Sequence, residues 1–291
     1  MSLSHFDHYA PATLEEVFSL LQSKGPGARV MAGGTDLLLK IRHGALKPKY
    51  IIGLKNIRGL KTISFDASAG LTIGATALLA EVARHPDIVK HYPTIAQAAR
   101  GTANPQIRNM GTVIGNLCNA SPAADNAPTL LAMDAQIRIR GPEGERVLPL
   151  DQFFKGPGVT ALVPLEIVTA VHVPAPPPNT GTAYLSLSAR GKMDCTAVGV
   201  ATMVTMTGKT CAGVRLFVGA CGPVPLRAPK AEDILRGQEL TEEVVEKAGT
   251  QASAESRPIS DMRASGDYRT EMVAVLTRRV LREAHHRALA C

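Results

Sequence analysis

Two glycine-containing segments carry the residue types best suited to chemistry. The first, Val30-Met31-Ala32-Gly33-Gly34-Thr35-Asp36-Leu37, sets two side-chain-free residues where one short apolar run ends and the next begins. Backbone N–H groups at such a turn approach a phosphate closely, a helix start adds positive potential, and Thr35 offers a hydroxyl. The same residues also suit a tight turn in which Asp36 caps a short helix, so both readings stand at this point. The second segment runs from Asn109 to Asp125 and includes Thr112-Val113-Ile114-Gly115-Asn116. Across its 17 residues it holds two Gly, three Asn, a Ser, a Thr and an Asp among apolar neighbours. A core segment cannot leave so many polar groups unpaired. A cofactor with phosphates, sugar hydroxyls and a polar ring would satisfy them, and so would a self-bonded loop with water.

Other chemical signatures are missing or incomplete. GxGxxG does not occur, and Gly208-Lys209-Thr210 lacks the upstream glycine of a Walker loop because Met203 holds that position. It reads as a hairpin turn. His5 with His8, and His285 with His286, are not completed to a ligand set by the carboxylates or cysteines of a metal site. The five cysteines (Cys118, Cys195, Cys211, Cys221, Cys291) are widely spaced with no CxxC, which predicts reduced thiols. No acid and base pair stands out as catalytic.

The elements that must position these loops fit an ordinary folded chain of 291 residues, long enough for two domains of about 150 residues each. With 45% hydrophobic and 20% charged residues, disordered, collagenous and coiled-coil classes fit poorly. No apolar run approaches a membrane span and the start lacks a signal-peptide layout, which predicts a cytoplasmic protein. The net charge of +7 favours anionic partners, but with no Trp and few other aromatics a base-stacking nucleic-acid surface is not expected.

Thr13 with Glu16 predicts a helix start, and Leu14, Val17, Phe18 and Leu21 share its apolar face. Strands follow at 28–32 and 50–54, separated by the glycine turn and a short helix, as in a small α/β unit. The pattern then predicts a hairpin over 62–74, helices at 78–84, 94–99 and 128–133, an irregular stretch over 101–125, a hairpin over 135–150 and a strand at 167–173. The run Pro174-Ala175-Pro176-Pro177-Pro178-Asn179 is a stiff extended linker and the best domain boundary. Beyond it, strands at 183–188, 198–206 and 214–219 precede helices near 230–236, 241–254 and 268–288, which is an α+β order.

The motifs AGGTDLL at 32–38 and IRNMGTVIGNLCNASPAAD at 107–125 resemble the FAD-binding medium subunit, or domain, of the molybdenum hydroxylases, the family of xanthine, carbon monoxide and nicotinate dehydrogenases and 4-hydroxybenzoyl-CoA reductase. The tail from Arg257 to Arg269 is similar to that family's C-terminal flavoprotein domain. The resemblance implies an α+β, two-domain chain. Residues 1–176 form a FAD-binding PCMH-type (vanillyl-alcohol-oxidase-like) domain with α/β subdomains at about 1–57 and 58–176. Residues 180–291 form a CO dehydrogenase flavoprotein C-terminal-like domain.

It further implies that Val30, Met31, Ala32, Gly33, Gly34, Thr35, Asp36 and Leu37 wrap the FAD pyrophosphate. Thr112, Val113, Ile114, Gly115 and Asn116 meet the phosphates and flavin region, and Asp125 holds ribityl or ribose hydroxyls. Thr102 lies beside the isoalloxazine, and Val168 is an apolar cofactor contact. Electrons would come from a molybdenum cofactor on a large subunit through two-iron clusters on a small one, and leave for NAD or another acceptor.

Two positions depart from the family pattern. Ile114 replaces the first glycine of TIGGN, which predicts an altered backbone because a β-branched residue disfavours positive φ. Ser186 stands where some relatives carry a lysine near the flavin. Cys118 lacks the cysteine-rich insertion of the cluster-binding branch, so no iron is expected in this chain. Two other readings are a stand-alone flavin reductase on the same fold and a non-enzymatic basic scaffold.

Overall fold

The computed structural model describes residues 5–191 and 194–290. Strands β1 (Asp7–Tyr9), β2 (Ala28–Met31) and β3 (Tyr50–Gly53) form a parallel sheet in the order β1-β3-β2, with helices α1 (Leu14–Lys24) and α2 (Leu37–Arg42) as the connections. The expected start of α1 is present: Thr13 Oγ1 accepts from the Glu16 N–H at 3.2 Å, and the Glu16 carboxylate accepts from the Ala12 N–H at 2.8 Å. Replacing Thr13 by Ala is expected to cost about 1 kcal/mol in urea denaturation.

Strands β4 (Ile63–Asp66) and β5 (Gly70–Gly74) lead into helices α3 (Leu79–Val82), α4 (Pro86–His91), α5 (Pro93–Gly101), α6 (Pro105–Arg108), α7 (Val113–Cys118) and α8 (Asn126–Ala132). Strands β6 (Gln136–Gly141), β7 (Gly144–Pro149), β8 (Phe154–Gly156), β9 (Val159–Thr160) and β10 (Ile167–Val173) follow. Five of these strands make an antiparallel sheet in the order β4-β5-β10-β6-β7. The stretch 101–125, expected to be irregular, instead contains α6 and α7. Each is a single short turn of helix capped by a side chain, Asn104 Oδ1 accepting from Ile107 N and Thr112 Oγ1 from Gly115 N.

The last segment builds an antiparallel sheet from β11 (Thr180–Leu187), β12 (Val198–Thr207), β13 (Thr210–Gly219) and β14 (Leu226–Arg227), followed by α9 (Pro229–Leu235), α10 (Glu242–Glu255) and α11 (Gly266–Leu289). Helix α11 lies so close to β11 that a Cβ at Gly181 would overlap the Ala284 carbonyl oxygen. This face of the sheet forms one apolar core with α9, α10 and α11, including Val200, Leu216, Val273 and Val280. The opposite face contributes Tyr184, Ala201 and Phe217 to the core of the first 176 residues, where α5 and α8 meet it. Arg278 and Arg282 on α11 pair with Glu246 and Glu242 on α10, and Arg287 with Glu283, so the basic cluster of this helix is largely compensated.

Candidate functional site

The two glycine segments meet. The turn from Ala32 to Asp36 leaves the C-terminal end of β2 and lies against Met110 and Gly111, just ahead of α7. The approach is so close that a Cβ on Gly33 would overlap the Met110 carbonyl oxygen and come within 2.8 Å of Gly111 Cα. Gly34 has φ +76°, the left-handed region that glycine enters without cost. Asn119, after α7, ties the loops together: its Nδ2 donates to Asp36 Oδ1 at 3.0 Å and its Oδ1 accepts from Lys40 Nζ at 2.7 Å.

Among the described residues, the backbone N–H groups of Ala32, Gly33, Gly34, Thr35 and Asp36 donate to no protein acceptor. Consecutive free amides of this kind form an anion-binding concavity. A cavity of about 260 Å³ opens beside them, lined by Ala32, Met110 and Thr112 with Lys55, Lys61, Thr76 and Leu78. Lys61 pairs with Glu81 at 2.8 Å, whereas the buried Thr76 Oγ1 has no hydrogen-bond partner. Free amides, Lys55 and an unpaired hydroxyl are a donor set that fits a pyrophosphate.

Behind the second loop lies a buried polar network. Asn126 is 1% exposed, and its Nδ2 donates to Thr102 Oγ1 at 3.1 Å and to Asn116 Oδ1 at 3.0 Å. The Thr102 hydroxyl donates to the Ala98 carbonyl at 2.8 Å, so it can only accept from Asn126. Asn126 Oδ1 is buried without a partner. Beside it, Asp125 Oδ1 accepts from Tyr184 Oη on β11 at 2.9 Å and from Thr196 Oγ1, just before β12, at 2.6 Å. Burial raises the Asp125 carboxyl above its ordinary range, and the two hydroxyls oppose that shift. Burial, with Asp125 alongside, also pushes the Tyr184 phenol well above its usual value.

Residues 4–176 match the family described as the FAD binding domain in molybdopterin dehydrogenase, and residues 183–284 match the CO dehydrogenase flavoprotein C-terminal domain. The chain belongs to this flavoprotein family. It is 31% identical over 95% of both chains to the putative xanthine dehydrogenase FAD-binding subunit of Escherichia coli. It is 31% identical over 96% of both chains to the carbon monoxide dehydrogenase medium chain of Hydrogenophaga pseudoflava. A solved structure of carbon monoxide dehydrogenase from Hydrogenophaga pseudoflava superposes with a TM-score of 0.95 at 32% identity over 99% of each chain. Quinoline 2-oxidoreductase from Pseudomonas putida superposes at 0.93 with 29% identity, over 99% of this chain and 100% of that one. The α+β fold expected from the resemblance, a FAD-binding part followed by a CO dehydrogenase flavoprotein part, is the one present.

Within this flavoprotein fold the turn from Ala32 to Asp36 lies against Met110 and Gly111, and Ala32 and Thr112 line one cleft. Val113, Ile114 and Val168 are enclosed in the core at 0%, 3% and 3% exposure, so their side chains serve packing. Ile114 brings no positive φ: it lies in α7, where a β-branched residue is accommodated. Val30 packs against the core from β2, and Leu37 opens α2. Ser186 is exposed on β11, two residues beyond Tyr184.

Among the described residues no group of three or more His, Cys, Asp or Glu is arranged to hold a metal ion. Cys118 is a packed thiol whose pKa burial pushes up to about 12. Sequence reasoning missed Asn126, Thr196, Asn119, Lys55 and Thr76. For Asn126 a signal existed, a lone amide opening the otherwise apolar run Ala127 to Met133.

Asp125→Ala leaves the buried hydroxyls of Tyr184 and Thr196 without their acceptor, and is expected to lower stability by about 1–3 kcal/mol in urea titration. Asp125→Asn keeps an acceptor oxygen there and should cost under about half as much. Equal losses in the two variants would show that these hydrogen bonds contribute nothing.

Proposed function

We propose that this chain is the FAD-carrying electron-transfer subunit of a multi-subunit molybdenum hydroxylase, working in the cytoplasm. It would dock with a large subunit holding the molybdenum cofactor and a small subunit holding two-iron clusters. Residues 1–176 and 180–291 are its two domains. Bound FAD supplies the ability to accept electrons singly and to release them to NAD or another acceptor. The curated relatives support the reading, being FAD-binding subunits or medium chains of xanthine and carbon monoxide dehydrogenases.

The observation that carries it is the row of free amides from Ala32 to Asp36 beside Lys55 and Thr76. These amides and the Thr35 hydroxyl would hold the pyrophosphate. Thr112 positions the second loop by capping α7, with its Oγ1 2.9 Å from Gly115 N. Asn116 has its carbonyl oxygen committed to Asn126, which leaves its amide N–H groups as donors. Asp125 retains Oδ2 as an acceptor for a ribityl or ribose hydroxyl, since Tyr184 and Thr196 both donate to Oδ1. Thr102 acts through the Asn126 network. The protein's part is binding and orientation, and no side chain here is assigned an acid or base step.

The test is a visible absorption spectrum of the purified chain, with the released cofactor identified by mass and co-purifying subunits identified from the native source. An oxidised flavin band, FAD on denaturation, and molybdenum and iron-sulfur subunits in the same complex are expected. A colourless chain that refuses added FAD would reduce it to a scaffold, and a flavoprotein without such partners would favour a stand-alone reductase.

A further inference from the structure

A second cavity, of about 670 Å³, lies away from the glycine loops at the other end of the junction between the two halves of the molecule. Its volume is in the range that encloses a small organic ligand. The first 176 residues supply Tyr92, Pro93 and Met133 to its walls, and the C-terminal sheet supplies Met203. The connecting stretch supplies Pro174, which is pinned because Tyr92 Oη donates to its carbonyl at 3.2 Å. A proline run fixed in this way makes a preformed wall rather than a mobile flap.

The charges around the cavity decide what it takes. Both lining carboxylates are spent: Asp134 pairs with Arg215 at 3.0 Å and Glu283 with Arg287 at 2.8 Å. Arg215 also donates to the Leu131 carbonyl and Arg287 to the Thr182 carbonyl, so these guanidinium groups are held as structure. Lys90 on α4 and His286 on α11 line the same cavity from opposite halves and make no ion pair or hydrogen bond among the described residues. No free carboxylate remains for a cationic ligand, and one uncommitted ammonium cannot neutralise a polyphosphate.

We propose that this cavity binds a small organic anion with a flat apolar body, in chemical class an aromatic carboxylate of about two rings. The rings lie between the proline wall, Met133 and Met203, and the carboxylate lies toward Lys90 and His286. This site is separate from the FAD-binding loops, but the same elements reach both. Helix α5 runs from Pro93 at the cavity to Gly101, next to Thr102, about 13 Å away at 1.5 Å per residue. Helix α8 starts after Asp125 and delivers Met133 and Asp134, while β11 carries Thr182 at the cavity and Tyr184 at Asp125. A ligand here touches both halves of the molecule and braces the junction on which the Asp125 contacts depend.

The experiment is isothermal titration of the flavin-loaded chain with 2-naphthoate and with its neutral counterpart, 2-naphthamide. The expected result is one saturable site for the carboxylate with Kd below about 1 mM, and binding of the amide at least about tenfold weaker. The Lys90→Glu/His286→Glu double variant, altered only at exposed positions, should keep its flavin and its thermal midpoint while losing at least about tenfold in carboxylate affinity. Absence of saturation up to about 10 mM, an unchanged Kd in the double variant, or release of flavin during the titration would each overturn the proposal.

Discussion

Gly33→Val costs the chain its FAD while leaving it folded. The valine Cβ would overlap the Met110 carbonyl oxygen and press on Gly111 Cα, and both are backbone atoms that cannot swing aside as a side-chain tip would. The turn from Ala32 to Asp36 must therefore lift off the second loop, and its free amides shift with it. Overpacking of this kind costs about 1–3 kcal/mol, less than the 5–15 kcal/mol that typically holds a domain together. Cofactor affinity bears the larger loss, at least about a hundredfold, because convergence of several donors is what binds an anion. The flavin-to-protein ratio after gel filtration should fall below about a tenth of wild type, with far-ultraviolet circular dichroism unchanged. Gly34→Val is a useful companion. Its added Cβ meets Met31 Sδ at 2.8 Å, a flexible neighbour, but its φ of +76° is one that valine avoids. Full flavin occupancy in the Gly33 variant would move the pyrophosphate away from this loop.

Local signals carried much of this architecture. Thr13 and Glu16 announce α1, the alternation around Gly208 announces the β12–β13 hairpin, and the proline run marks the passage between the two sheets. The glycine pair and the polar second segment pointed to two loops that the fold packs against each other. What was not legible depends on distant partners or on very short elements. Strand β1 is three largely exposed residues whose strand character comes only from parallel pairing with β3. Helices α6 and α7 were obscured by the glycine and asparagine around them, although Asn104 before Pro105 and Thr112 before Val113 are capping signals. Residues Tyr184 and Thr196 stand 59 and 71 positions from Asp125. Nothing in the spacing of a single sequence marks such an encounter.

Arg269→Met is the substitution expected to cost the most stability. Arg269 is 1% exposed, and its guanidinium donates to the carbonyls of Ala197 at 3.2 Å and Ala220 at 3.1 Å and to Asp261 Oδ1 at 2.5 Å. It thus fastens the segment before α11 to the ends of β12 and β13. Met leaves the Ala197 and Ala220 carbonyls without their donor, and each buried acceptor left unsatisfied costs about 1–3 kcal/mol, so the urea midpoint should fall accordingly. Hydrogen bonds from Arg263 and Arg269 hold the Asp261 carboxyl well below the usual carboxylate range. A depressed folded-state pKa adds stability that is present above the unfolded value of about 3.9 and is lost as the pH falls through the acid range below it. Wild-type stability should therefore drop below about pH 4, and Asp261→Asn should flatten that drop. The damage in the Arg269 variant should also reach Asp125, the residue proposed to hold a cofactor hydroxyl, because Ala197 follows Thr196, whose hydroxyl meets Asp125. Flavin loss that parallels unfolding in urea would confirm this chain of contacts. Flavin retained at wild-type affinity in a destabilised Arg269→Met chain would show that the Thr196–Asp125 contact stands independently of the arginine clamp.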